Sequence, residues 1–466
     1  MVSSLATALR SPRVMGMRLG HDHHRHTAMV LGCALALMAS IFCLSFARLE
    51  FSRTAVTTNN CILGADTASY ARALANQQYS GLKPRKHPLA AALVGGLARP
   101  LIAAGISPAV AGSLALALIQ AVGAGLIFAF LYHGLAGGIT AALVAALALS
   151  TFGTVTIFGV VETYGVTVMA IALACLAFAA LAPRATGAPR LSGAAAGAAG
   201  AVIGLANPPA LAFLLIYTGL SWRHVPGGWI SRLCATLLLP AAIASLGVVL
   251  PALIFDPVAG LAWQELYLQR YASASNFTDP RIIGDYLASF FLFAFVAPLD
   301  HVQCRYVVAD VVALLRDPMR ASALLGIGGV CVTGIVRGLT GGTRGVVLAA
   351  LGSVAALFIF YLFFNPDEAL LYSSQWTLAL MIAAAPGLGS GVRSAAALVV
   401  ALALSLSVNI APLHNRASAD PRACCPAPPA TMLDRERPLH QPWADVARAP
   451  LGQPGCISLD ARETPP

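Results

Sequence analysis

Charge is what this sequence has least of. Of 466 residues, 10% are Asp, Glu, Lys or Arg and 58% are apolar, whereas a soluble globular chain carries about 25% charged residues. So little charge cannot solvate a surface that faces only water, which excludes a soluble enzyme. Polar alternation is missing too. Runs such as Ala141 to Leu149 (AALVAALAL) are continuously apolar, while the strands of an outer-membrane barrel alternate apolar with polar residues. Acids are scarcer than bases, 19 against 29, for a formal charge of +10. The basic residues are scattered through short loops rather than gathered on one module, which argues against a nucleic-acid partner.

In place of charge the chain has repeated apolar runs of 17 to 25 residues, each long enough to cross roughly 30 Å of hydrocarbon as a helix. It reads as an all-α, polytopic helical membrane bundle. Of the ten cysteines, Cys33, Cys43, Cys175, Cys234 and Cys331 lie in or beside apolar runs and read as small buried hydrophobes. Cys61, Cys304, Cys424, Cys425 and Cys456 lie outside them, and spacing alone assigns no pairing.

Loop charge orients the bundle. Residues 1–26 hold Arg10, Arg13, Arg18 and Arg25 before an apolar run from Thr27 to Ala47. No small-residue cleavage site follows that run, so it reads as a retained first helix with a cytoplasmic N-terminus. His21, His23, His24 and His26 resemble a metal tract, but an exposed polar terminus accounts for them better, and they are assigned no site. Four short loops contain only basic residues: Pro183 to Arg190, Ser221 to Arg232, Arg337 to Arg344 and Gly387 to Arg393. The positive-inside rule places all four in the cytoplasm.

Parity then constrains the spans. An odd number of crossings must separate the outer segment before Lys86 from the inner Pro183. Four apolar stretches are available: Leu89 to Ala104, Ala109 to Leu131, Thr140 to Phe158 and Glu162 to Leu181. The shortest, Leu89 to Ala104, is expected to lie at the outer interface. The apolar run Leu191 to Leu220 must go out and come back, broken at Asn207-Pro208-Pro209, since proline removes a helix donor and restricts the residue before it. Asp285 to Leu299 is expected to be a second interfacial segment. The reading totals about eleven crossings plus two interfacial helices. Residues 27–411 form the membrane domain, with outer loops 48–87 and 255–321. Residues 412–466 form a tail; ten of the chain's 29 prolines fall between Leu413 and Pro466, and the tail reads as disordered.

Candidate chemistry concentrates on the outer side. Asp66 in the first outer loop can serve as a general base on an acceptor hydroxyl or as the N-cap of a helix carrying Tyr70. Lys83, Arg85, Lys86 and His87 stand directly before an interfacial stretch, where clustered cations hold a phosphate or attract headgroups generally. Glu162, followed by Tyr164, is an ionisable group at the hydrocarbon edge, or a carboxylate stabilised by its own helix dipole. Asn365-Pro366-Asp367-Glu368 is a good helix start that also suits binding of a sugar or a cation.

Taken together, Gly64-Ala65-Asp66-Thr67-Ala68-Ser69-Tyr70, His87-Pro88-Leu89, the acid Glu162, the Asn207-Pro208 hairpin and Asn365-Pro366-x-Glu368 resemble the GT-C membrane glycosyltransferases. That superfamily includes protein O-mannosyltransferases and the aminoarabinose transferases of lipid A. The resemblance implies inverting transfer of a sugar from a polyprenyl-phosphate donor to a lipid, glycan or protein acceptor. It places this transfer on the outer face of the inner (plasma) membrane. It also implies Asp66 as the base, Lys83, Arg85, Lys86 and His87 as donor-phosphate ligands, and Tyr70, Glu162, Tyr164, Asn207, Asn365 and Glu368 around the substrate. Many members carry two adjacent acids in this loop, whereas Asp66 stands between Ala65 and Thr67. The resemblance leaves the cofactor open, a divalent cation included, and no metal ligand is assigned. The competing readings are an envelope polysaccharide polymerase or ligase and a secondary transporter, which suits a broken helix.

Overall fold

The computed structural model describes residues 23–55, 70, 73–74, 87–159, 162–255, 272–297, 311–366 and 369–410. Among them there is no strand. Helix α1 is His23–Ala55, α2 is Pro88–Ala103, α3 is Pro108–Gly134, α4 is Gly138–Ser150 and α5 is Phe152–Phe158. Then come α6, Tyr164–Leu181, α7, Pro189–Ala206, and α8, Leu214–Ser221. Helix α9, Leu239–Phe255, continues Trp229–Leu233 through a π-helical turn, Cys234–Leu238. The remaining helices are α10, Pro280–Ala288, α11, Val311–Arg316, α12, Pro318–Thr340, α13, Arg344–Phe364, α14, Ala369–Ala384, and α15, Val392–Asn409. Among the described residues six stretches are long and apolar enough to cross a membrane: Pro108–Gly134, Tyr164–Thr186, Trp229–Leu250, Pro318–Thr340, Arg344–Phe364 and Val392–Asn409, and the bent pair Gly138–Ser150 and Phe152–Phe158 would make a seventh if it is one span. The protein is therefore a multi-pass helical membrane protein.

Local chemistry sets many of these starts. Proline opens α2, α3, α7 and α12, where its missing N–H is one of the donors a helix N-terminus leaves unpaired anyway. Asp317 caps α12, its carboxylate accepting the Arg320 backbone N–H at 2.9 Å. The peripheral helices turn large apolar side chains outward, Leu246 on α9 and Leu325 and Val332 on α12 among them. That is a liability in water and the natural state in lipid. By contrast α14 buries every side chain from Ala369 to Ala379 and stands at the centre.

Small residues let the helices approach. On α7, alanine Cβ atoms at Gly193, Gly197 and Gly204 would press on Ala235, Ile243 and Val248 in turn, so α7 and the Trp229–Phe255 stretch run side by side in the same direction. Close backbone approach of this kind is the usual basis of helix association in lipid. The expected break after Ala206 is present: Pro208–Phe213 is a 3-10 turn. Beyond it Leu211 faces Gly204 and Leu214 faces Gly200, so the chain returns along itself as a hairpin.

The four basic loops meet at one end of the bundle. Ala185 and Val225 are buried together with Ala235, joining the first loop to the second. Arg223 Nη1 donates to the Gly342 carbonyl at 2.9 Å, joining the second to the third. Gly387 lies hard against Gly334 and Gly338, joining the third to the fourth. Helices that begin or end there place their other ends on the opposite face, about 25–30 Å away for 16 to 21 residues at 1.5 Å each. Tyr164, Asn207, Tyr361 and Tyr372 all fall towards that far face.

Helix α3 ends at Gly134 beside Ala179, near the basic end, so Pro108 belongs to the far face. His87, which precedes α2, is bonded to Ala206 on the same face. Both ends of α2 therefore lie on one face. Helix α1 packs Met38 against Gly125 and Leu49 into the cluster containing Ala111 and Ala115. It thus runs opposite to α3, with its N-terminus towards the basic loops.

Two segments are less regular than the apolar runs that mark them. Thr140 to Phe158 is not one straight helix, because α4 and α5 are bent by 72° about Thr151. The polar contacts that stabilise the bend come from distant chain: the Phe152 and Gly153 N–H groups donate to the carbonyls of Phe295 and Ala294. The segment from Asp285 also does more than lie at an interface. It passes through a π-helical turn, Ser289–Phe293, and buries Phe290, Phe293, Val296 and Ala297 in the core.

Candidate functional site

The far face gathers residues from five elements. His87, immediately before α2, is 1% exposed, and its Nδ1 lies 2.8 Å from the Ala206 carbonyl oxygen. A carbonyl only accepts, so Nδ1 carries the proton and, in the neutral ring, Nε2 carries the lone pair. The imidazole meets the Tyr164 ring edge to face, centroids 5.6 Å apart. Tyr164 in turn meets Tyr372 of α14 at 5.2 Å, and Tyr372 stacks on Tyr361 of α13 at 4.1 Å. Edge-to-face and offset-stacked geometries are those the aromatic quadrupole favours.

A hydrogen-bond chain crosses the same cluster. Asn207 Nδ2 donates to the Tyr361 hydroxyl at 3.1 Å, and that hydroxyl donates to Gln375 Oε1 at 3.2 Å. Asn207 is available because the two prolines after it end α7 and leave its backbone extended, φ −161°. Trp376 backs the cluster: its ring stacks on Phe290 at 3.9 Å, its Nε1 donates to the Phe290 carbonyl at 3.1 Å, and Tyr361 lies 6.1 Å away. Next to Tyr164, Glu162 is 3% exposed, and its Oε1 accepts both the Thr163 backbone N–H at 2.8 Å and the Thr163 hydroxyl at 3.0 Å. The carboxylate thus sits at the N-terminus of α6, where the helix dipole favours negative charge.

Of the residues expected from the sequence, His87, Tyr164 and Asn207 converge, with Glu162 beside Tyr164 in the chain. Asn365 is buried one turn beyond Tyr361, its backbone N–H donating to the Tyr361 carbonyl. Asn276 closes this end of α13, donating from Nδ2 to the carbonyls of Leu362 and Phe363. Tyr70 packs elsewhere, in an apolar cluster with Leu49, Leu74 and Val94. Asp66, Lys83, Arg85, Lys86 and Glu368 lie outside the described residues. His87, grouped in the sequence with the phosphate-binding cations, is instead built into the aromatic cluster. Tyr361, Tyr372, Gln375 and Thr163 were not expected. The available signal was the polar run Tyr372-Ser373-Ser374-Gln375 inside an apolar helix, because polar groups at membrane depth are expensive to keep.

A second polar network lies at the α4–α5 bend. Asn409 Nδ2 donates to the carbonyls of Ser150 at 2.9 Å and Phe295 at 2.7 Å, and its Oδ1 accepts the Ala297 N–H at 2.8 Å. Ser150 and Ser405 hydroxyls join it at 2.9 Å. This is a fully buried fastening of three elements, with no ionisable member. Among the described residues no group of three His, Cys, Asp or Glu side chains is placed to hold a metal ion. Comparison with models of known protein families gives no match, and comparison with curated proteins gives none either.

Proposed function

We propose that this protein is an integral membrane glycosyltransferase of the GT-C kind, moving a sugar from a polyprenyl-phosphate donor to an envelope lipid, glycan or protein acceptor. The observation that carries the reading is the meeting of His87, Tyr164 and Asn207, singled out at three separate places in the sequence, around Tyr361 and Tyr372. Aromatic faces with a few neutral amides suit a sugar ring. With the basic loops in the cytoplasm, this cluster faces outward from the inner membrane. The alternation of helix ends between two faces fits the eleven crossings expected from the sequence, with α2 and the segment Asp285 to Leu299 remaining on the outer side.

In this reading Asp66 accepts the proton of the acceptor hydroxyl as its oxygen bonds to the anomeric carbon. The bond from that carbon to the donor phosphate oxygen breaks with inversion, and its electron pair leaves on the phosphate. Lys83, Arg85 and Lys86 stabilise the departing anion. Asp66→Asn in membranes supplied with radiolabelled polyprenyl-phosphate hexoses is expected to abolish transfer while the protein stays in the membrane. Full activity of that variant removes Asp66 as base. A strain lacking the protein that neither loses a glycan nor accumulates lipid-linked sugar overturns the reading. One observation favours a secondary transporter instead: the bend at Thr151 supplies a second broken helix besides Asn207. Sugar uptake into proteoliposomes without group transfer would decide for it.

A further inference from the structure

Below the tyrosines lies a seam that the reading above does not use. Thr167 follows Tyr164 and Gln375 follows Tyr372 at i+3, so each occupies the same helix face as the ring before it, one turn deeper. Helices α6 and α14 both run from the far face to the basic loops, and their tyrosines touch. Thr167 and Gln375 are each 0% exposed, and Thr167 Oγ1 and Gln375 Nε2 make no hydrogen bond among the described residues. Buried polar atoms are almost always paired.

Gln375 is also the end of a chain. Asn207 donates to Tyr361 and Tyr361 to Gln375 Oε1; each bond polarises the next, which leaves the buried Nε2 hydrogens as strengthened donors with no partner among the described residues. What the seam offers a ligand is an amide N–H and a hydroxyl, both neutral, under three aromatic rings. An ionised group held by these two partners would lose its hydration and gain no counter-charge from either of them, whereas a hydroxyl is satisfied by them.

We propose that this seam is a subsite for a ring hydroxyl of an uncharged sugar, with Gln375 as its specificity-determining residue and Thr167 as a second contact. The proposal rests on the glycosyltransferase reading and narrows its donor to neutral sugars over amino or carboxylated ones. The full-length protein in liposomes tests it. Radiolabelled polyprenyl-phosphate glucose, mannose and galactose, and their amino and carboxylated counterparts, are measured for both binding and transfer.

The wild type is expected to bind at least one neutral donor about tenfold or more tightly than its charged counterparts. Gln375→Leu is expected to weaken that binding, and to raise KM, by about tenfold with a smaller change in kcat. Thr167→Val, which keeps shape and removes the hydroxyl, gives a smaller weakening in the same direction and decides the matter if Gln375→Leu does not fold. Equal binding of charged and neutral donors, wild-type affinity in the variants, or no binding of any probe overturns the subsite. Binding without transfer leaves the subsite standing and removes the transferase. Transfer with unchanged KM in both variants does the reverse.

Discussion

Gly197→Ala is the sharpest test of how this bundle is held together. A Cβ at Gly197 would lie 2.7 Å from Ile243 Cβ and 2.9 Å from the Pro240 carbonyl oxygen, where ordinary contact begins at 3.4 Å. Neither neighbour is the free end of a flexible side chain, so the helices must part by about 0.7 Å. A gap of that size forfeits a quarter to a half of each atom-pair attraction of about 0.1–0.2 kcal/mol. Over the few dozen pairs that two such faces share, the loss is about 2 kcal/mol, against a gain of up to about 1 kcal/mol from replacing glycine in a helix. The net expectation is about 1 kcal/mol of destabilisation, and about 3 kcal/mol for Gly197→Leu. Gly96→Ala is the control: Gly96 is helical with nothing within 4 Å of the added atom, so the same substitution should stabilise by about 0.5–1 kcal/mol. Thermal unfolding in detergent can be followed with a thiol-reactive fluorophore in a background where every cysteine but Cys175 and Cys331 is replaced by serine or alanine, because those two are buried until the fold opens whereas Cys43 and Cys234 are exposed. The two alanine variants should shift Tm in opposite directions. An equal rise in both would refute the close α7–α9 packing.

Three further outcomes are expected. Asn409→Asp replaces a donor facing two carbonyls with an acceptor, so the variant should be destabilised by about 3 kcal/mol and should recover part of this on acidification, read from Tm at neutral and acidic pH. The Asp317 carboxyl is held below its ordinary value, chiefly by the Arg320 N–H it accepts. The unfolded chain therefore binds that proton more readily, and the stability it contributes is present at neutral pH and lost as pH falls through the carboxyl's lowered folded-state value. Asp317→Ala should lower stability by about 1 kcal/mol at pH 7 and flatten this acid dependence. Single cysteines at Gly228 and Gly342, introduced for membrane-impermeant labelling of intact cells and inverted vesicles, should label from one side, and a cysteine at Gly105 from the other. Labelling of all three from the same side would break the two-face arrangement.

The six long apolar helices could be read in advance because an apolar run long enough to cross lipid must satisfy its backbone internally, and a helix is the only way a single segment does so. The hairpin at Asn207-Pro208-Pro209 was legible for the same reason, since proline withdraws a donor wherever it stands. The bend at Thr151 was not, because nothing in Ser150-Thr151-Phe152 forbids a straight helix. The backbone groups there are answered by Phe295, Ala294 and Asn409, each far away in the chain. His87 was placed with its basic neighbours because sequence adjacency suggested a shared phosphate. Its ring turns instead to a carbonyl on another helix.

Residue order alone was enough for a multi-pass membrane protein and its long apolar helices, since these follow from hydrocarbon thickness and proline chemistry. It also marked His87, Tyr164 and Asn207 as polar or aromatic groups that an apolar chain would not carry idly. Helix packing was needed to bring these three into one cluster, to complete it with Tyr361, Tyr372 and Gln375, and to leave Tyr70 out of it. The physical reason is that hydropathy acts along the chain, residue by residue, whereas a hydrogen bond or a ring contact depends on which helix faces meet. Those faces are chosen by glycine contacts and buried amides whose partners lie 154 residues apart in the Asn207–Tyr361 pair and 259 apart in the Asn409–Ser150 pair.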